Sequence, residues 1–212
     1  MASSISLPPL PDNLKPVGHL LKTAHEHETR DAVVTYWARL AALQTAMKID
    51  RKSKEAKAIL IPLMDWLEKE KKVLSGNEAV TSEIVASAHI ENYAMKLFEW
   101  ADKEDRAARF GKNVVKSFYT AGNLFDVMQV FGELTPEILH ARKYSKWKAA
   151  YIHNCLKKGE TPIPGPVGGD SVGEELEEDA PGPTPGAAAG GSGGWSQPQS
   201  EDQPQEPSLR GV

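Results

Sequence analysis

An all-α chain of two tandem antiparallel three-helix bundles, followed by an acidic tail that stays disordered, is the fold class this sequence predicts. Three observations lead there. From Leu14 to Leu156 the apolar residues recur at helical spacing, with almost no strand-like alternation. Caps and breakers at Asp31, Ser53, Gly76-Asn77, Gly132, Thr135-Pro136 and Gly159 divide that stretch into segments joined by short connections, which makes neighbours antiparallel. Composition then changes abruptly. Residues 1–160 hold 24 of the 25 Lys+Arg and 20 of the 29 Asp+Glu, a net of +4, whereas residues 161–212 hold one basic and nine acidic residues, a net of −8. The same tail carries 9 of the 15 Pro and 11 of the 17 Gly. Such a segment buries too little apolar surface to offset its chain entropy. The expected units are therefore residues 1–76, residues 77–160 and a tail at 161–212.

The first helix is expected over about 12–27, with Leu14, Val17, Leu21 and Ala24 on one face and Pro16 harmless in the opening turn. Asp31 caps a second over about 32–49, whose inner face holds Val33, Trp37, Leu40, Ala41, Gln44 and Met47. Ser53 caps a third over about 54–74. Pro62 stands inside it, removing one backbone bond and meeting the carbonyl of Ala58, so a kink or a restart near Ile61 is expected. After Gly76-Asn77 a fourth helix runs to about Ala101, with Ile90, Ala94, Leu97 and Phe98 inward. Asp105 reads as the cap of a fifth over about 106–131, ended by Gly132. Thr135-Pro136-Glu137 opens the sixth, which closes on Lys157, Lys158 and Gly159.

Two helices carry more apolar surface than one bundle needs. On the third, Ala56, Leu60, Leu63, Leu67 and Leu74 form the core line, while Trp66 and Val73 spill to one side and Met64 and Ile61 to the other. Something besides its own bundle should cover one of those edges. On the sixth, Ile138, Ala149, Ile152 and Leu156 make one stripe and Tyr144, Trp147, Tyr151 and Cys155 a second, with Arg142, Lys143 and Lys146 between them. The second stripe packs either on the other bundle or on a partner.

Chemistry is thin. The lone Cys155 forms no intramolecular disulfide and reads as a small core hydrophobe. His25 and His27 point apart on a helix, and His140 and His153 are poorly spaced for a shared metal; the histidines read as surface or capping groups. No phosphate loop or dinucleotide fingerprint is present, and the Gly190–Gly194 run lies in the tail. A modest net charge with no reader motif argues against nucleic acid. No apolar run is long enough to span a bilayer, and the N-terminal segment lacks a basic leader or an apolar h-region. The expectation is a cytoplasmic, non-enzymatic chain with no catalytic residue, no metal and no cofactor, and without direct membrane insertion.

In the second group, Ala94-x6-Ala101-x2-Glu104-Asp105-x-Ala107-x2-Phe110-x3-Val114-x3-Phe118-x2-Ala121 resembles the helix–turn–helix signature of microtubule-interacting and trafficking (MIT) domains. Val33-Val34-x2-Trp37 echoes Val114-Val115-x2-Phe118. Longer words point further: Leu-Pro-Pro-Leu-Pro at 7–11, Ala24-His-Glu-His-Glu-Thr-Arg-Asp31, Gln44-Thr-Ala-Met-Lys-Ile-Asp50, Glu91-Asn-Tyr-Ala94, Lys116-Ser-Phe-Tyr-Thr-Ala121, Phe131-Gly-Glu-Leu134, and Trp147-Lys-Ala-Ala-Tyr-Ile-His-Asn-Cys-Leu-Lys157. Over about residues 7–168 the chain resembles the vacuolar protein sorting ATPase cofactor family of the LYST-interacting protein five type.

That resemblance implies two MIT-like modules that bind C-terminal helices of ESCRT-III subunits, the charged multivesicular body proteins, in multivesicular body sorting at endosomes. It also implies regulation of the ESCRT disassembly AAA ATPase by a C-terminal helical pair. This chain ends at Gly211-Val212 without such a pair, so that partner is expected only in longer forms. In the first module the groove between the second and third helices would use Leu40, Leu43, Met47, Ile61 and Met64, rimmed by Lys48, Arg51 and Lys57. Methionine adapts to varied apolar knobs, and the cations suit an acidic incoming helix. In the second module the aromatic stripe Tyr144, Trp147 and Tyr151 is the expected contact, since Trp and Tyr anchor interfaces. The residues by themselves also fit a helical interaction scaffold whose acidic tail carries the partner site.

Overall fold

The computed structural model describes residues 3–165. An extended arm leads into a 3-10 segment, Asp12–Val17, and then α1 (Gly18–His27), α2 (Ala32–Ile49), α3 (Lys54–Val73), α4 (Glu78–Thr81), α5 (Glu83–Arg106), α6 (Lys112–Met128), a 3-10 turn at Gln129–Phe131, and α7 (Pro136–Lys158). Among the described residues every element is helical.

Local chemistry sets several boundaries. The Asp31 carboxylate accepts the Val33 and Val34 N–H groups at 2.9 and 3.0 Å, starting α2. Ser53 Oγ accepts the Ala56 N–H at 3.1 Å, starting α3. Thr135 caps α7 ahead of Pro136, and Gly159, in the left-handed region at φ +73°, closes it.

Three boundaries differ from the sequence reading. The fourth segment breaks at Ser82 into α4 and α5, and α5 runs on to Arg106. Asp105 caps nothing: it sits in the last turn of α5 with its side chain fully buried, and α6 begins only after Gly111. Its carboxylate is taken by the Lys148 ammonium at 3.0 Å and the Gly165 N–H at 2.8 Å, so tertiary partners outbid the cap. Finally, α3 continues through Pro62 with no restart at Ile61. A proline there still forfeits one ladder bond, so Pro62→Ala is expected to stabilise the protein by up to about 3 kcal/mol. A higher urea midpoint at unchanged slope is the check.

The two helical groups share one core. A single apolar cluster runs from Leu14 to Ala141, and a smaller one gathers Ala101, Val114, Phe118, Tyr144, Ala149 and Ile152. Helix α2 is central, with Val33 through Arg39 buried in succession, because α1, α3, α4 and α6 all pack on it. Trp37 joins the groups: its indole N–H donates to the Ala79 carbonyl at 2.8 Å and its ring lies 4.6 Å from that of Phe131. Asp126 on α6 accepts from Arg142 Nε at 2.5 Å, pairs ionically with Lys146 Nζ at 2.6 Å, both on α7, and meets His19 Nε2 on α1 at 2.9 Å. Arg142 and Lys146, which the sequence shows as a basic edge, thus turn onto a buried acid. His27 is also not a surface group: Nδ1 donates to the Thr23 carbonyl at 2.7 Å, and Nε2 lies 3.3 Å from the Tyr93 hydroxyl.

The N-terminal arm covers the Trp66 edge of α3. The Ser3 carbonyl accepts the Trp66 indole N–H at 2.9 Å and Arg39 Nη1 at 3.1 Å, while Ser3 N–H and Oγ donate to Glu70 at 3.2 and 2.6 Å. The Arg39 guanidinium lies 4.0 Å over the Trp66 ring and pairs with Glu28. At the other end, residues 161–165 of the expected tail fold back on the body with Pro162 and Gly165 buried. The remainder of that predicted tail, including Glu174–Asp179 and Trp195, lies outside the described residues.

Candidate functional site

The short Asp50–Ser53 turn makes α2 and α3 an antiparallel hairpin, and the arm covers only one of its edges. The opposite edge stays open: Ile61 is 55 % exposed, Met64 42 % and Met47 40 %. Leu40 is half-buried and Lys48 exposed. Leu43 is a correction to the expected lining, because at 8 % exposure it belongs to the core cluster between the helices.

Beyond Met47 an open depression is lined by Lys48, Ile49, Asp50, Arg51 and Lys52. Its one carboxylate is already engaged. Asp50 accepts the Lys52 and Ser53 N–H groups at 2.9 and 3.1 Å and the Asn13 amide at 2.9 Å. Bonds from the Ser53 hydroxyl and those turn amides hold its carboxyl well below the usual carboxylate range. Lys48, Arg51, Lys52 and Lys57 are exposed around the apolar edge, which suits an amphipathic helix with acidic flanks.

The aromatic stripe on α7 divides in two. Tyr144 is buried, edge-on to Phe98 and Phe118 at 6.0 Å from each ring, and so is a core residue instead of an open contact. Its hydroxyl has no hydrogen-bond partner among the described residues. Burial first, and then the charges of Asp105 and Asp102, push its pKa up, so it stays protonated across physiological pH. Trp147 and Tyr151 remain half-exposed and stack in parallel, with centroids 5.5 Å apart and planes at 4°. One turn in, Lys148 is fully buried under that stack, its Nζ 5.6 and 5.3 Å from the two ring centroids.

Sequence reasoning gives Lys148 no role of its own, reads Asp105 as a helix cap and assigns the segment after α7 to the tail. A lysine at an apolar-stripe position, seven residues before Cys155, was the available signal. The described residues hold no set of three His, Cys, Asp or Glu groups placed to bind a metal ion, and no helix long and apolar enough to cross a membrane.

Residues 16–158 match the family described as Vta1 like. The Bos taurus and Homo sapiens proteins named vacuolar protein sorting-associated protein VTA1 homolog are similar to this chain at 61 % and 60 % identity over 168 residues, 79 % of this chain and 55 % of each relative. The Arabidopsis thaliana protein named homolog of mammalian LYST-interacting protein 5 is 36 % identical over 154 residues, 71 % of this chain and 35 % of that protein. The chain spans about half the length of the mammalian relatives it matches. Among solved structures, the NMR structure of the Vta1–Vps60 complex is similar in fold, with a TM-score of 0.59 at 16 % identity, covering 68 % of this chain and 98 % of that one.

Proposed function

The chain belongs to the Vta1-like family, and from that premise we propose that it is a non-enzymatic adaptor of the ESCRT machinery that binds C-terminal helices of ESCRT-III subunits in multivesicular body sorting. It works from the cytoplasm and is recruited to endosomal membranes by those subunits. Two docking modules, residues 1–76 and 77–160, each take a helix: the first through Leu40, Met47, Ile61 and Met64 with Lys48 at the rim, the second through Trp147 and Tyr151. The open Ile61–Met64 edge, left bare while the arm covers Trp66, is the observation that carries this reading. Family names in vacuolar sorting, and a fold neighbour solved as a complex with Vps60, support it.

A single-helix contact is small, so dissociation constants in the micromolar range are expected. The test titrates the full chain with labelled C-terminal helices from several ESCRT-III subunits. Met64→Asp and Trp147→Asp are each expected to weaken one subset of peptides by about tenfold or more, with helicity unchanged. Failure of the folded chain to bind any of them saturably would overturn the reading.

A further inference from the structure

Beyond α7 the chain turns back and lies between α5 and α7. Its contacts there are nearly all main-chain. Lys148 Nζ donates to the Ile163 carbonyl at 2.9 Å and to the Gly165 carbonyl at 2.6 Å. The Gly165 N–H donates to Asp105 at 2.8 Å, and the Ile163 N–H donates to the Tyr151 hydroxyl at 3.0 Å. Four bonds from three helix side chains therefore read the backbone of a six-residue stretch, while the Ile163 side chain points away at 57 % exposure. Fully buried lysines are rare unless paired, and this one spends its donors on Asp105 and two carbonyls.

We propose that the groove between α5 and α7 is a peptide-binding groove, and that its resident occupant is this chain's own segment 160–165, a removable strap clamped by Lys148. A site that holds backbone by hydrogen bonds with little apolar side-chain burial is selective for backbone shape over sequence. For the same reason the strap opens without unfolding the helices, since its apolar hold is confined to Pro162. Tyr151 serves both the strap and the half-exposed stack with Trp147, so seating the strap fixes that aromatic face and blocks any other peptide from the groove.

Gly165 gives a variant that acts on the strap alone. Its φ of +69° is left-handed and it is buried, so Gly165→Val strains the segment while leaving every helix side chain in place. The clamp is removed separately by the paired Asp105→Leu/Lys148→Met change, which strands no charge. The probe is the capped peptide Glu160–Gly165 at millimolar concentration, matched to the effective concentration of a short tether, added to isotopically labelled full chain. In the wild-type chain the Ile163 amide should exchange at least tenfold more slowly than in the free peptide, and Gly165→Val should erase that protection with helicity intact. The peptide should shift the Asp105 and Lys148 resonances in Gly165→Val at least tenfold more readily than in the wild type, and leave Gly165→Val carrying the paired clamp change unmoved. An unprotected Ile163 amide, an equal response of wild type and Gly165→Val, or no response in Gly165→Val would each overturn the proposal.

Discussion

Asp126→Asn is expected to lower stability by about 2–3 kcal/mol at neutral pH and to loosen α1 and α7 from α6. The figure sits below the roughly 3–5 kcal/mol of a fully buried broken pair because its cations keep some water. Asp126 is 7 % exposed and serves two cations of α7, Arg142 and Lys146, together with the His19 imidazole of α1, so asparagine leaves the two cations without their shared counter-charge. Burial alone would raise the Asp126 pKa; the hydrogen bond from His19 and the charges of Lys146 and Arg142 outweigh it and hold the carboxyl well below its ordinary range. A depressed carboxyl adds stability that is present above the unfolded value, ordinarily 3.8, and lost as pH falls through the folded value. Wild type and Asp126→Asn should therefore differ most at pH 7 and converge below about pH 4, which denaturant melts at pH 7, 5 and 3 will read.

Helix existence was legible because caps act locally: Asp31, Ser53 and Thr135 stand beside the N–H groups they accept. Asp105 looks like another such cap and is not one, since its partners are 43 and 60 residues away along the chain. The overfull stripe on α3 announced a cover for one edge, but nothing local pointed to the backbone of Ser3, whose carbonyl carries no side-chain signature. Likewise α2 reads as a helix with one inner face; only the packing of α4 and the Gln129–Phe131 turn onto Trp37 closes its other sides. In the candidate site the stripe-edge residues Ile61 and Met64 are open, and so are Met47 and Gln44, which spacing puts on the inner face of α2, while Leu43 and Tyr144 sink into the core. Neighbouring positions on a helix differ by too small an angle for spacing alone to separate lining from core.

Lys148→Met is expected to cost about 3–5 kcal/mol, and adding Asp105→Leu to recover most of it. Both side chains are fully buried, so either single change strands a charge. The pair is not an obvious source of stability. Burial pushes the Asp105 carboxyl up despite the opposing hydrogen bond and charge of Lys148 and the bond from Gly165, and its Oδ1 has no hydrogen-bond partner among the described residues. For a carboxyl raised in the fold, the penalty is present at neutral pH and fades as pH drops below the folded value, because the neutral form is the one the interior accepts. Lys148→Met should therefore regain stability on acidification from pH 7, whereas the double variant should not. Two carbonyls lose their donor in both variants, yet they belong to a segment that lifts into water, so their desolvation need not be borne by the folded body. A double variant as stable as the wild type but with an exchanging Ile163 amide would separate the two roles of the lysine: near-neutral in the energy of the bundle, decisive for where the chain leaves it.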